Sequence, residues 1–121
     1  MNVWQTSWGL STRSIGALVL IHGDNKGLVL PPRIAKIQVI IIPIFYKDAD
    51  NEKLVNNAHE IKKALRSANI AAEVDDDDTH NPGFKYNKWE LKGVPIRLEI
   101  GKKDFANEEV RLVVRYSGNK S

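Results

Sequence analysis

Residues 37–44 read IQVIIIPI, an almost continuous apolar run that is rich in β-branched side chains. A run of this kind is typical of a strand covered on both faces, as in a parallel sheet, because a half-exposed strand alternates apolar and polar residues. We therefore predict a central, buried strand here. The run is also far shorter than the roughly 20 apolar residues that a membrane-spanning helix needs.

The segment after this run predicts a helix and then a second strand. Five apolar residues recur at steps of three and four, which places them on one face of a helix: Leu54, Ala58, Ile61, Leu65 and Ala68. Asp50 or Asn51 can cap its start, and Asn69 is suited to a left-handed C-terminal cap. Residues 70–74 read as a strand, and the order strand, helix, strand predicts a right-handed crossover with parallel pairing.

The remaining residues predict one short helix and two more strands. A helix over residues 84–91 would have Pro82 near its start and Gly93 past its end. Apolar and polar residues alternate over residues 96–100 and again over 110–116, which predicts two half-buried strands. A turn between them would make these strands an antiparallel pair.

Residues 1–35 differ from this pattern. They are rich in Gly, Ser, Thr and Asn around one apolar stretch at residues 15–21, and Pro31 and Pro32 then interrupt regular structure. We therefore predict two parts, residues 1–35 as the end of another domain and residues 36–121 as an α/β domain. The α/β domain is expected to have a small mixed sheet with flanking helices.

The composition is that of an ordinary soluble domain. The chain has 121 residues, 42% of them hydrophobic and 27% charged, and no cysteine. Disulfides and thiolate metal sites are therefore excluded, and a reducing compartment is compatible with the sequence. The N-terminus lacks the basic segment and apolar run of a signal peptide.

The charge is concentrated toward the C-terminus. Residues 83–121 hold nine Lys and Arg against five Asp and Glu, a local charge of +4, whereas the whole chain carries +3. Aromatic side chains are interleaved with these cations at Phe84, Tyr86, Trp89 and Tyr116. This combination suits a nucleic acid, and a merely solvated basic surface is the alternative.

Signs of self-contained catalysis are weak. His22 and Asp24 would need a turn to act as a base and its orienting group, and the patterns HExxH, GxSxG and GxxxxGK followed by Ser or Thr are absent. The acidic run at residues 75–78 lacks the spacing of a calcium-binding loop. We therefore expect a solvated acidic loop there and no metal site.

Three blocks resemble prolyl-tRNA synthetases of the archaeal and eukaryotic type. QTSWGLSTRSIG (residues 5–16) and HGDNKGLVLPPR (residues 22–33) are similar to the end of their catalytic domain. NPGFKYNKWELKGVPIRLEIGKKD (residues 81–104) is similar to their anticodon-binding domain. The blocks occur in the family's order and at about its spacing.

The first block implies part of an ATP site. By the resemblance, Arg13 is the arginine of the third class II motif, which contacts the ATP triphosphate, and Thr12 lines or supports the adenylate site together with Ser11 and Trp8. A guanidinium offers a planar fork of donors to phosphate. Without the resemblance, Arg13 reads as a surface arginine and Trp8 as a core aromatic.

The last block implies an anticodon site. By the resemblance, Glu90, Arg97 and Lys103 read the guanines of the proline anticodon. A carboxylate can accept from guanine N1 and N2, and Arg or Lys can donate to O6 and N7. Tyr86 and Phe84 are candidates to stack on unpaired anticodon bases.

A structural interpretation competes with the anticodon site. Phe84 and Trp89 can be core residues, and Glu90 and Arg97 can form a surface ion pair. We prefer the core position for Trp89 alone. The loop DDDDTHNPG (residues 75–83) also departs from the family, because Asp77 lies near the position of an expected arginine.

The resemblance implies that the parent protein is a cytoplasmic proline–tRNA ligase. Its partners would be proline, ATP with Mg²⁺ and proline tRNA, and it would be a homodimer without a membrane or DNA partner. The first two class II motifs are missing and the second domain is expected to be truncated at its C-terminus. We therefore expect the 121-residue chain alone to be inactive and to require no cofactor. The alternatives are a non-catalytic synthetase-derived tRNA-binding or regulatory domain and a generic protein-interaction domain.

Overall fold

The computed structural model describes residues 3–45, 51–101 and 109–121. The elements are α1 (Arg13–His22), β1 (Val39–Pro43), α2 (Asn51–Ser67), β2 (Ala72–Val74), α3 (Pro82–Leu91), β3 (Ile96–Ile100) and β4 (Arg111–Val114). The four strands form one sheet in the order β2-β1-β3-β4. β1 is parallel to β2 and β3, and β3 is antiparallel to β4. This confirms the predicted α/β class with a mixed sheet.

The sheet is covered on both faces, so β1 is buried along its whole length. On one face, α2 contributes Leu54 and Ala58 to a cluster with residues of all four strands. On the other face, Tyr86 and Trp89 of α3 pack against Ile40, Ile42 and Val94. The predicted central strand is therefore confirmed, together with its parallel pairing.

Helix ends follow the sequence signals. Asn81 caps α3 by accepting a hydrogen bond from the backbone N–H of Phe84 at 2.8 Å, and Pro82 is the first residue of the helix. Past the end of α3, Gly93 adopts a left-handed φ of 73°. Its N–H donates to the Glu90 carbonyl, and the next N–H, of Val94, donates to the Trp89 carbonyl. This pair of bonds is a Schellman motif. Asn69 is left-handed after α2 (φ 63°), as predicted.

The prediction of two half-buried strands is wrong for β3 and for residue 115 of the predicted strand 110–116. Glu99 is only 5% exposed and Arg115, just after β4, only 9%. Apolar and charged residues do alternate, but the sheet face that carries the charged residues is covered by α3 and by the residues that precede β1. The charged side chains on that face therefore lie in the interior, where they need partners.

Asp75 is buried, which corrects for this residue the expectation that residues 75–78 form a solvated loop, whereas Asp76 and Asp78 are exposed. Its carboxylate lies 3.8 Å from the Nζ of Lys85 and 3.4 Å from that of Lys88, and it accepts a hydrogen bond from the Trp89 indole N–H. Lys85 also donates to the Asp75 carbonyl at 3.2 Å. The side chains of Lys85 and Asp75 are 2% and 3% exposed. This network joins the end of β2 to α3.

The apolar stretch at residues 15–21 forms most of α1, a helix that the sequence reading did not assign. Every residue of α1 is exposed except Leu18, which is half-buried. In the part of the chain that the structure describes, no helix has the length and apolar character that crossing a membrane requires.

Candidate nucleic-acid interface

The predicted anticodon residues lie on α3 and the neighbouring strand β3. Phe84, Tyr86 and Glu90 belong to α3, and Arg97 belongs to β3. Lys103 lies outside the described residues, as do Asp50 and most of the predicted turn between β3 and β4. The interface is therefore built here from four of the five predicted residues.

Glu90 and Arg97 each have a partner of their own. Lys26 Nζ lies 3.4 Å from Glu90 Oε1, and the Glu90 side chain is 26% exposed. Arg97 Nε donates to Glu99 Oε1 at 2.9 Å. Both residues nevertheless line one narrow cavity of about 30 Å³ between α3 and the sheet. That volume suits about one water molecule, so a nucleobase would contact the rim of the cavity.

Arg97 lies over the ring of Tyr86, with its guanidinium carbon 4.4 Å from the ring centroid. Burial raises the pKa of the Tyr86 phenol, and the nearby Glu99 carboxylate raises it further. Tyr86 thus packs between Arg97 and the α3-side core, which is a different setting from an open stacking surface. Arg97 is held in orientation by Tyr86 and Glu99. A guanidinium has five N–H donors, so its bond to Glu99 is compatible with donating to a base.

Phe84 occupies a more open position. It is 50% exposed, and its ring stacks on His80 with centroids 4.4 Å apart and an angle of 17° between the planes. Asp77 orders the loop before α3 by accepting from the N–H of Thr79 at 2.9 Å and by contacting His80 Nδ1 at 2.8 Å. The hydrogen bond from the Thr79 hydroxyl, followed by the bond from the Thr79 N–H and the contact with His80, holds the pKa of the Asp77 carboxyl well below its usual range. The acidic loop therefore supports the exposed His80–Phe84 stack.

The predicted ATP residues lie at the start of α1, outside the two elements that carry Glu90 and Arg97. Arg13 is the first residue of α1 and is exposed, and Thr12 precedes it. Backbone N–H groups at a helix start, together with an arginine, suit a phosphate group. Among the described residues, no group of three or more His, Asp or Glu side chains is placed to hold a metal ion.

Sequence reasoning missed a second charged pair beside Glu90. Arg115 donates to the two carboxylate oxygens of Asp24, both at 2.7 Å, and its Nε donates to the Glu90 carbonyl at 3.0 Å. The Arg115 side chain is 5% exposed and that of Asp24 45%. The sequence pattern indicates Asp24 only as a partner for His22. The one sequence signal for Arg115 is its position in a strand whose two faces are both covered, because a charged side chain buried there needs a partner.

Asp24 predicts a pH dependence of stability. The hydrogen bonds from Arg115, and then the N–H of Lys26, hold the pKa of the Asp24 carboxyl far below its usual range. The folded state therefore binds the proton less well than the unfolded state. The interaction between Asp24 and Arg115 therefore contributes its full stabilisation above the ordinary Asp pKa of about 4. This stabilisation is lost as the pH falls below that value.

We expect the difference in unfolding free energy between the wild type and Asp24→Asn to be constant near neutral pH and to shrink below about pH 4. Urea titrations of both proteins from about pH 7 to about pH 3 measure it. A difference that stays the same across that range contradicts the assignment.

Comparison with known proteins gives matches over nearly the whole chain. The model of the family described as "Anticodon binding domain" matches residues 38–121. A cytoplasmic proline–tRNA ligase of Arabidopsis thaliana is 50% identical over 118 residues, which are 98% of this chain and 22% of that protein. A proline–tRNA ligase of Amoebophilus asiaticus is 51% identical over 119 residues (98% and 24%), and one of Chloroflexus aurantiacus is 53% identical over 112 residues (93% and 23%).

The chain thus spans a little under a quarter of the length of these curated relatives. The matches confirm the predicted resemblance to prolyl-tRNA synthetases. They also run through residues 1–35 as well as the sheet, since they cover nearly the whole chain.

Proposed function

Because the chain belongs to the anticodon binding domain family, we propose that it selects a tRNA through the surface of α3 and β3. The observation that carries the proposal is that Glu90 and Arg97, an acceptor and a donor of hydrogen bonds, line the same cavity. The relatives are proline–tRNA ligases. We therefore propose that the RNA is proline tRNA and that the bases read are the guanines of its anticodon.

The chemistry of the two side chains supports this readout. Guanine presents N1 and N2 donors on one edge and O6 and N7 acceptors on another. The Glu90 carboxylate can accept from the first edge, and the Arg97 guanidinium can donate to the second. Lys103 is proposed as a further donor. The half-exposed Phe84, rather than the covered Tyr86, offers the more open ring for stacking.

The proposed parent protein is a proline–tRNA ligase that joins proline to its tRNA at the expense of ATP. Arg13 and Thr12 are proposed to belong to its ATP site, with Mg²⁺ as the accompanying ion, and the parent is proposed to be a cytoplasmic homodimer. Residues 1–35 and 36–121 are proposed as the end of its catalytic domain and its anticodon-binding domain. We expect the 121-residue chain alone not to activate proline, because the other class II motifs are not among its residues.

Arg97→Ala tests the readout. We expect this substitution to weaken binding to proline tRNA by about tenfold, since a good base contact is worth roughly 1–3 kcal/mol. Binding to a copy of the tRNA with its two anticodon guanines replaced should hardly change. Fluorescence anisotropy with both RNAs at one fixed salt concentration measures the two affinities, because phosphate contacts make all affinities depend on salt.

Arg66→Ala is the matched control. It removes the same charge from α2, on the opposite face of the sheet, where Arg66 pairs with Glu73. Any loss caused by net charge alone should appear equally in this variant and for both RNAs. A wild-type chain that binds both RNAs with equal affinity would refute the proposed selection.

A further inference from the structure

We propose that residues 24–30, the docking segment, set the position of Glu90, and that the Asp24–Arg115 pair is the contact that holds this segment in place. The inference rests on the proposed function, because it concerns how the anticodon-reading carboxylate is oriented. Asp24, Lys26 and Arg115 then act as positioning residues for RNA selection, beyond a structural contribution to folding.

The docking segment completes the hydrogen bonding at the end of α3. The last carbonyls of a helix have no partners within the helix and must find them elsewhere. The N–H of Leu28 donates to the Leu91 carbonyl at 3.1 Å, and that of Leu30 donates to the Gly93 carbonyl at 3.0 Å. The segment is therefore hydrogen-bonded to the last residue of α3 and to the glycine that follows the helix.

Two glycines allow the close approach. A Cβ on Gly27 would lie 2.8 Å from the Leu91 Cα, and a Cβ on Gly93 would lie 2.4 Å from the Leu28 carbonyl oxygen. Both positions also have a positive φ, 126° and 73°. The backbones are thus in direct contact, so a shift of the segment is transmitted to the helix end without an intervening side chain.

Arg115 joins the segment, the helix and the sheet at one point. Its guanidinium is bound to both oxygens of Asp24 and donates through Nε to the backbone carbonyl of Glu90 itself. A cation at this place also complements the negative end of the α3 dipole. The Glu90 side chain is contacted from the same segment, through Lys26 Nζ at 3.4 Å.

The exposed Lys26–Glu90 pair contributes little by itself, because surface ion pairs are worth at most about 1 kcal/mol. The nearly buried Arg115 and the backbone contacts are therefore the main constraints. Without the Asp24 carboxylate, Arg115 loses its bidentate partner, and the carbonyl of Glu90 loses a fixed donor. A base contact depends on angle and distance, so a small rotation of α3's last turn weakens the contact with a guanine.

The experiment compares Asp24→Asn with the control Asp78→Asn, which removes the same charge from an exposed loop position. The 121-residue chain is titrated with proline tRNA and with the copy whose two anticodon guanines are replaced. The quantity measured is the ratio of the two affinities. We expect Asp24→Asn to lower this ratio by about fivefold to tenfold relative to the control, and to do so through weaker binding of the native RNA. Asp24→Glu should retain most of the ratio.

Four results would overturn the inference. If Asp24→Asn keeps the wild-type ratio while its unfolding free energy falls, the pair is only structural. If it weakens binding to both RNAs equally, the segment affects overall RNA affinity and not the selection between the two RNAs. If the wild-type chain shows no preference at all, the proposed function fails and the inference fails with it. A wild-type preference that Arg97→Ala removes but Asp24→Asn retains refutes the positioning role alone.

Discussion

Asp75→Ala is expected to lower the free energy of unfolding by about 3–5 kcal/mol, because it leaves a buried cation without its partner. The Lys85 side chain is 2% exposed, and its ammonium has the Asp75 carboxylate and carbonyl as neighbours. The same substitution removes the acceptor of the Trp89 indole N–H. The expected loss, measured by urea titration, is therefore a large part of the total free energy of unfolding of a small domain.

Asp78→Ala serves as the control for Asp75→Ala, since Asp78 belongs to the same acidic run but is exposed. Its effect should stay within about 0.5 kcal/mol. Combining Asp75→Asn with Lys85→Met removes both charges and should recover part of the loss, because a neutral pair is cheaper to bury than one unpaired charge. Equal stabilities for the Asp75 and Asp78 variants would contradict the buried network.

The elements of the sheet were predictable because their signals are local. Residues 37–44 hold too many apolar side chains for a strand with one wet face, and the helix α2 carries a regular apolar stripe. Asn69 and Gly93 mark helix ends through backbone conformation, which depends on little beyond the residue itself. These features need no knowledge of distant parts of the chain.

The buried charges were not predictable from the same patterns. Asp75 is one of four consecutive aspartates, and only its place directly after β2 brings it beneath α3. Glu99 and Arg115 alternate with apolar residues as surface charges would. Two crossover helices on opposite faces of the sheet bury both faces of β3. Glu99 then lies in the interior and needs a partner.

The partners of the candidate site depend on long-range folding. Asp24 and Arg115 are 91 positions apart, and Lys26 and Glu90 are 64 apart. The resemblance to a family indicates Glu90 and Arg97 as single residues. Their hydrogen-bond and ion-pair partners are known only from the folded structure. The role of the docking segment was not predicted, because its sequence resembles the end of a different domain. A domain boundary at Pro31 and Pro32 therefore separates the docking segment from the end of α3, which it contacts.

Gly93→Ala tests that contact directly and is expected to cost roughly 2–4 kcal/mol of unfolding free energy. A left-handed conformation costs a residue with a Cβ about 1–2 kcal/mol, and overpacking adds roughly 1–3 kcal/mol. The new methyl group would lie 2.4 Å from the Leu28 carbonyl oxygen, a backbone atom that can move only with the docking segment. Urea titration measures the total loss, and hydrogen exchange at the Leu28 and Leu30 amides reports whether the segment separates from α3.

Gly83→Ala, in the first turn of α3, is the matched control. A Cβ there would meet only the Asn81 side-chain oxygen, at an ordinary 3.6 Å. Because alanine favours helix by up to about 1 kcal/mol over glycine, stability should stay constant or rise. A Gly93→Ala protein as stable as the wild type, with unchanged protection at Leu28 and Leu30, would show that α3 does not need the docking segment. Faster exchange confined to those two amides, together with the lower stability, would instead locate the loss at the contact that holds the end of α3.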